Sequence, residues 1–119
     1  HTLPDPEFLA KIESLGGIPP ELLAERQFLD TMLPTLRSDC ALVETYVCHR
    51  QPPLRCPVSA FGGLLDQEVF PEDVRAWSLH TMGPFQAHLL PGDHFFINSA
   101  LPDLLGRLIS DLGSARTHV

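Results

Sequence analysis

Cysteine is scarce in this sequence: Cys40, Cys48 and Cys56 are the only three, an odd number, with no Cys-x-x-Cys spacing. That excludes a disulfide-stapled scaffold and favours a reducing compartment, the cytoplasm, with free and mostly buried thiols. Positive charge is also scarce. Eight Lys and Arg stand against fifteen Asp and Glu, for a net charge of −7. With no basic patch, nucleic acid is a poor partner, and so is an anionic membrane surface. No apolar run reaches the ~18 residues of a membrane span. The chain begins at His1 with no methionine, so a start inside a longer protein is expected, and the lack of a signal peptide carries little weight. A Gly-x-Ser-x-Gly elbow is missing too. Ser59 falls within an expected strand and Ser99 at an expected helix start. Ser14, Ser38, Ser78, Ser110 and Ser114 fall in helical or tail contexts. None has the strained strand-to-helix turn that exposes a nucleophilic serine.

What is present fits a small globular core, with 44% hydrophobic residues in 119 and no internal repeat. The stretch from Pro57 to His94 organises the rest. Pro57-Val58-Ser59-Ala60-Phe61 and Phe85-Gln86-Ala87-His88-Leu89-Leu90 read as two strands, with a helix from Pro71 between them. A strand–helix–strand unit of this kind is a right-handed crossover with parallel strands. Asp66, after Gly62-Gly63, and His94, after Gly92-Asp93, then lie just past the two strand ends on one sheet edge. An open α/β sheet places its chemistry there. An acid and a histidine so placed are two thirds of a hydrolase triad. Asp93 is the competing acid, but adjacency in sequence does not make it face His94.

The other segments read as helices. Asp5 is a candidate N-cap with Pro6 at the first helical position, and Phe8, Leu9, Ile12 and Leu15 follow at helical spacing up to Gly16-Gly17. Pro19-Pro20 start a second helix, with Leu22, Leu23, Phe28, Leu29, Met32 and Leu33 as its stripe. Pro34 starts a third, buried through Leu36, Cys40, Val43 and Val47. Arg37, Asp39 and Glu44 read as its polar face. Val74, Trp77 and Leu79 are expected to pack on the sheet, and Phe95 and Phe96 in the core. A last amphipathic helix spans 99–112, and the tail after Gly113 has no pattern. Two parallel strands do not make a stable sheet. Further strands are therefore expected from outside this chain.

Cysteine nucleophiles are conceivable at Cys40, Cys48 and Cys56, but their apolar neighbours favour inert thiols. A zinc site of Cys48, His49 and Cys56 has poor ligand spacing. A solvated loop histidine or a turn aspartate is the plain reading of His94 or Asp66 taken singly.

Gly16-Gly17-Ile18-Pro19-Pro20-Glu21, Leu33-Pro34-Thr35-Leu36-Arg37-Ser38-Asp39 and Glu44-Thr45-Tyr46 resemble the type II thioesterases of polyketide and nonribosomal peptide synthesis. So do Pro53-Leu54-Arg55-Cys56-Pro57, Gly62-Gly63-Leu64-Leu65-Asp66, Trp77, Thr81 and Gly92-Asp93-His94-Phe95-Phe96, in the family's order from about residue 5 to 112. The resemblance implies an α/β-hydrolase fold seen in part. Residues 5–36 would be the helical lid and 37–119 the C-terminal part of the core, with the N-terminal half, its serine elbow and its oxyanion hole missing. It implies that Asp66 is the triad acid and His94 the general base. Leu22, Leu23, Phe28 and Met32 of the lid would shape the acyl channel, or else pack on one another. The implied reaction is hydrolysis of acyl thioesters from the phosphopantetheine arm of acyl or peptidyl carrier proteins. It removes aberrant acyl groups, or releases fatty acids in the animal relatives, with no metal or resident cofactor. This chain alone is then expected to be inactive. A non-catalytic module binding a carrier protein or second chain, and another α/β-hydrolase esterase or acyltransferase, are the competing readings.

Overall fold

The structure is a computed structural model that describes residues 1–49 and 51–116. The chain divides into two compact units, His1–Arg50 and Gln51–Val119. The expected division at residue 36 falls inside a continuous helix.

In the first unit, α1 spans Asp5–Ser14, α2 Pro20–Leu23 and α3 Arg26–Glu44. Pro4, not Asp5, occupies the position before α1, and no side chain caps that end. Asp5 is used elsewhere: its Oδ1 accepts a bond from Arg37 Nη2 at 2.6 Å. The Arg37 guanidinium also lies 4.4 Å from the centroid of the Phe8 ring. Phe8 and Ile12 are buried, and Arg37 of α3 holds α1 through the Asp5 carboxylate and the Phe8 ring. Gly16, at φ 77°, turns the chain out of α1, a conformation that glycine adopts without steric cost.

Two boundaries differ from expectation. The helix from Pro20 stops after one turn, and α3 runs unbroken through Pro34. A proline inside a helix removes one hydrogen bond and costs about 3 kcal/mol. Here the half-buried stripe Phe28, Leu29, Met32, Leu33 and Leu36 continues across it, and shared burial offsets the loss. The stripe continues through half-buried Cys40 and Ala41 and then ends. Val43 and Val47, expected on the buried side, are 76% and 68% exposed.

In the second unit, β1 is Val58–Gly63 and β2 Phe85–Leu90, parallel and in register from Val58 opposite Phe85 to Gly63 opposite Leu90. Between them α4 spans Pro71–Ala76, followed by a 3-10 turn over Trp77–His80. Pro71 opens α4, as the sequence indicated, and Asp73 Oδ2 accepts the Phe70 amide at 2.9 Å. Val74 is buried, with one methyl group where a Cβ on Gly62 would be. Trp77 and Leu79 are 58% and 77% exposed and do not pack as expected, because the chain tightens into the 3-10 turn at Trp77. Thr81 pins the approach to β1. Its hydroxyl meets the carbonyls of Leu54 and Cys56 at 3.2 and 2.7 Å and accepts the Gly83 amide.

After β2 come α5, Phe96–Ser99, and α6, Leu101–Arg116. The last helix therefore starts at Leu101, two residues later than expected, and Ser99 instead ends the short α5. α6 continues past Gly113; the tail beyond Arg116 lies outside the described residues. Leu90, Ala100 and Leu104 form the buried core of this unit, with Phe61, Phe96 and Leu108 against it. Phe96 packs as expected, while Phe95 is half-buried edge-on to the His94 ring. The three thiols are free. Cys40 is half-buried and Cys48 and Cys56 are exposed, contrary to expectation, since the last two lie on irregular backbone between helix and strand. Among the described residues no helix is long and apolar enough to cross a membrane.

Candidate active site

Both strands end in glycine-bearing turns, and those turns are bonded to each other. The Leu64 amide donates to the Leu90 carbonyl at 2.8 Å and the Leu65 amide to the Gly92 carbonyl at 2.9 Å. Gly63 has no room for a side chain, since a Cβ there would fall on the Asp93 carbonyl oxygen. Gly92 adopts φ 130°, in the region closed to most side chains. These two glycines let the turns touch, and the contact brings Asp66 to His94.

The His94 Nδ1 lies 3.0 Å from Asp66 Oδ2. The Asp66 side chain is 4% exposed and that of His94 36%. Burial alone would raise the Asp66 pKa. The Glu68 and Val69 amides on Oδ1, at 2.8 and 3.1 Å, and His94 on Oδ2 outweigh it, so the carboxyl titrates below its usual range. An ionised carboxylate only accepts hydrogen bonds. Nδ1 must therefore carry the proton, and neutral His94 presents the lone pair of Nε2. Nε2 has no hydrogen-bond partner among the described residues. This is the tautomer that a general base requires.

Asp93 does not compete for His94. Its Oδ1 accepts the Phe95 amide at 2.9 Å and closes the turn. The other named residues lie in the first unit: Leu22 and Leu23 on α2, Phe28 and Met32 on α3, with Leu22 exposed and the rest half-buried. Among the described residues no group of three His, Cys, Asp or Glu side chains could hold a metal.

A second acid–histidine cluster escaped the sequence reading. His88 Nε2 lies 2.8 Å from Asp111 Oδ2, and Ser59 Oγ donates to the same oxygen at 2.6 Å. The His88 ring stacks on Phe61, with centroids 4.9 Å apart. The signal was present, because a strand histidine in an apolar run needs a partner, but α6 had to be placed before Asp111 could be chosen. Serine and histidine both bind the acid here and not each other, so the cluster lacks the order of a catalytic triad.

The family model of the thioesterase domain matches residues 1–112. The chain belongs to the thioesterase family. Linear gramicidin dehydrogenase LgrE of Brevibacillus parabrevis is 39% identical over 117 residues, 96% of this chain and 44% of its own length. The thioesterase RedJ from the prodiginine pathway of Streptomyces coelicolor is also 39% identical, with a TM-score of 0.79 over 97% of this chain and 44% of that one. YbtT, a type II thioesterase of the yersiniabactin NRPS/PKS pathway, is 27% identical, with a TM-score of 0.83 over 95% of this chain and 47% of that one. The architecture is thus part of an α/β-hydrolase fold, as the sequence indicated. This thioesterase-family chain spans less than half the length of each of these three relatives.

Proposed function

We propose that this chain carries the acid and the base of a carrier-protein thioesterase, with His94 as general base and Asp66 as the residue that holds its tautomer. The observation that carries the reading is the Asp66–His94 pair across two adjoining strand ends, with Nε2 unengaged. The nucleophile is a serine outside this chain. The open groove along β1, lined by Val58, Ala60, Val69 and Trp77, is consistent with further strands of the same fold seated there.

In this mechanism His94 Nε2 accepts the serine proton as the serine oxygen attacks the thioester carbonyl. The imidazolium, stabilised by Asp66, then protonates the departing phosphopantetheine thiol, leaving an acyl-enzyme. His94 next takes a proton from water, which attacks the acyl ester. Its return to the serine frees the acid and resets the site. No metal or resident cofactor enters any step; the phosphopantetheine arm arrives with the substrate.

The remaining assignments belong to the same reading. Partners are acyl or peptidyl carrier proteins, supported by relatives from NRPS/PKS pathways such as YbtT. The helices of the first unit are the lid, and Leu22, Leu23, Phe28 and Met32 contribute to the acyl channel. A cytoplasmic location is supported by three free cysteines. The test is hydrolysis of an acyl-pantetheine thioester by the full-length protein and its His94→Ala variant. A loss of about 10⁴-fold or more is expected. Near-normal hydrolysis by the variant refutes the assignment, and faster turnover of simple oxygen esters would favour a general esterase.

A further inference from the structure

We infer that Asp111 is a positioning residue for His94, acting through α6 and the two strands that end at the site. The inference rests on the catalytic reading of His94 given above.

α6 is joined to His94 by a short path: Phe95, then α5, then Ala100. Its first half is held by apolar contact, since Ala100 and Leu104 are buried with Leu90, and Leu108 packs beside them. That contact then stops. Ile109 and Leu112 are 71% and 65% exposed, so the second half of α6 has no apolar anchor among the described residues. Asp111 supplies the anchor. A single oxygen, Oδ2, receives Ser59 from β1 at 2.6 Å and His88 from β2 at 2.8 Å. The His88 and Asp111 side chains are 10% and 15% exposed. Such bonds to a largely desolvated carboxylate are strong and directional. One carboxylate therefore ties α6 to both strands at once. Ser59 lies on the strand that runs out to Asp66, and His88 on the strand that runs out to His94. With this tie gone, the part of α6 beyond Leu108 loses its Asp111 bonds to both strands, and the loop from Gly92 to Ala100 loses that support.

The experiment uses the full-length protein with three variants: Asp111→Leu, Asp111→Asn and Ser59→Ala. Acyl-pantetheine hydrolysis is followed together with the NMR signal of the His94 Nδ1 proton. Asp111→Leu is expected to lower kcat about tenfold with KM nearly unchanged, and to shift or broaden that signal. Asp111→Asn keeps an oxygen acceptor and should recover most of the rate. Ser59→Ala removes one bond and should fall between them, which keeps the test open if Asp111→Leu does not fold. A folded Asp111→Leu or Ser59→Ala protein with unchanged kcat and an unchanged His94 signal overturns the inference, whatever happens to its melting temperature. The His94→Ala control separates the two claims. If that variant still hydrolyses the thioester, the catalytic reading fails, while the His94 proton signal still reports whether Asp111 positions the ring.

Discussion

Among its described residues the second unit contains two aspartate–histidine pairs of nearly equal length, 3.0 Å for Asp66–His94 and 2.8 Å for Asp111–His88. They differ in which nitrogen is used and in what surrounds the ring. His94 gives Nδ1 to its acid at the end of the sheet, and among the described residues its Nε2 has no partner. His88 gives Nε2 to its acid on the face of the sheet, where a serine shares the oxygen and Phe61 covers the ring. If His94 is the base proposed above, pair chemistry and bond length are poor guides to role. Position along the strand is the better guide. A residue past the end of a parallel strand is presented to whatever binds at the sheet edge, while one inside it is enclosed by the covering helix.

The comparison breaks most sharply on removal of each ring in the full-length protein. His94→Ala should cost about 10⁴-fold or more in thioester hydrolysis. His88→Gln, which retains a donor near Asp111, should cost tenfold or less. Equal losses would mean that the pairs are not functionally distinct. Asp66→Asn comes next. The amide presents a donor as well as an acceptor to Nδ1, so the tautomer with the Nε2 lone pair is no longer enforced. A loss of about 10³–10⁴-fold in kcat is expected, measured against pH to show that it is not a simple titration shift.

That Asp66 and His94 meet was legible in the sequence, and their helical surroundings only partly so. Gly62-Gly63 before Asp66 and Gly92 before His94 punctuate two apolar runs, and glycine marks sharp turns more reliably than most residues mark anything. The second strand has the bounds of its apolar run, Phe85–Leu90, whereas the first starts one residue later than the run from Pro57 to Phe61 and continues through both glycines to Gly63. Pro34 misled because its penalty is local, while the stripe that overrides it spans five positions on both sides. Trp77 and Leu79 misled because a helical projection does not hold through a 3-10 turn. Asp111 was beyond reach, since its partners are 23 and 52 residues away and only the seating of α6 on the sheet selects it.

The turn contact that separates the two pairs can also be strained directly. Gly63→Ala places a methyl group on the Asp93 carbonyl oxygen, so the two strand ends must part. A destabilisation of about 1–3 kcal/mol is expected from urea unfolding. Activity should fall by more than that loss explains, because the parted turns carry Asp66 and His94. Gly106→Ala, where a Cβ meets nothing within 4 Å, should leave activity unchanged and stabilise α6 slightly.

The smallest effect lies in acid and shows what the two pairs share. Both carboxyls titrate below their usual range. For Asp111 the Ser59 hydroxyl is the main cause; burial opposes it, while the bond and charge of His88 and the charge of Arg107 add to it. For Asp66, burial is outweighed by two backbone amides and His94. A carboxyl whose folded pKa is depressed stabilises the fold at every pH above its unfolded pKa, near 3.9. That stabilisation disappears as pH falls through the lower folded value, because the folded state must then take up the proton. Asp66→Asn and Asp111→Asn should each be less stable than the parent at pH 7, by on the order of 1 kcal/mol. In both, the gap in melting temperature should close as pH is lowered from about 5 to 2. A gap that widened in acid would mean that the carboxyl is held protonated in the fold. His94 would then have lost the acceptor that sets its tautomer, and the distinction between the two pairs would have to rest on position alone.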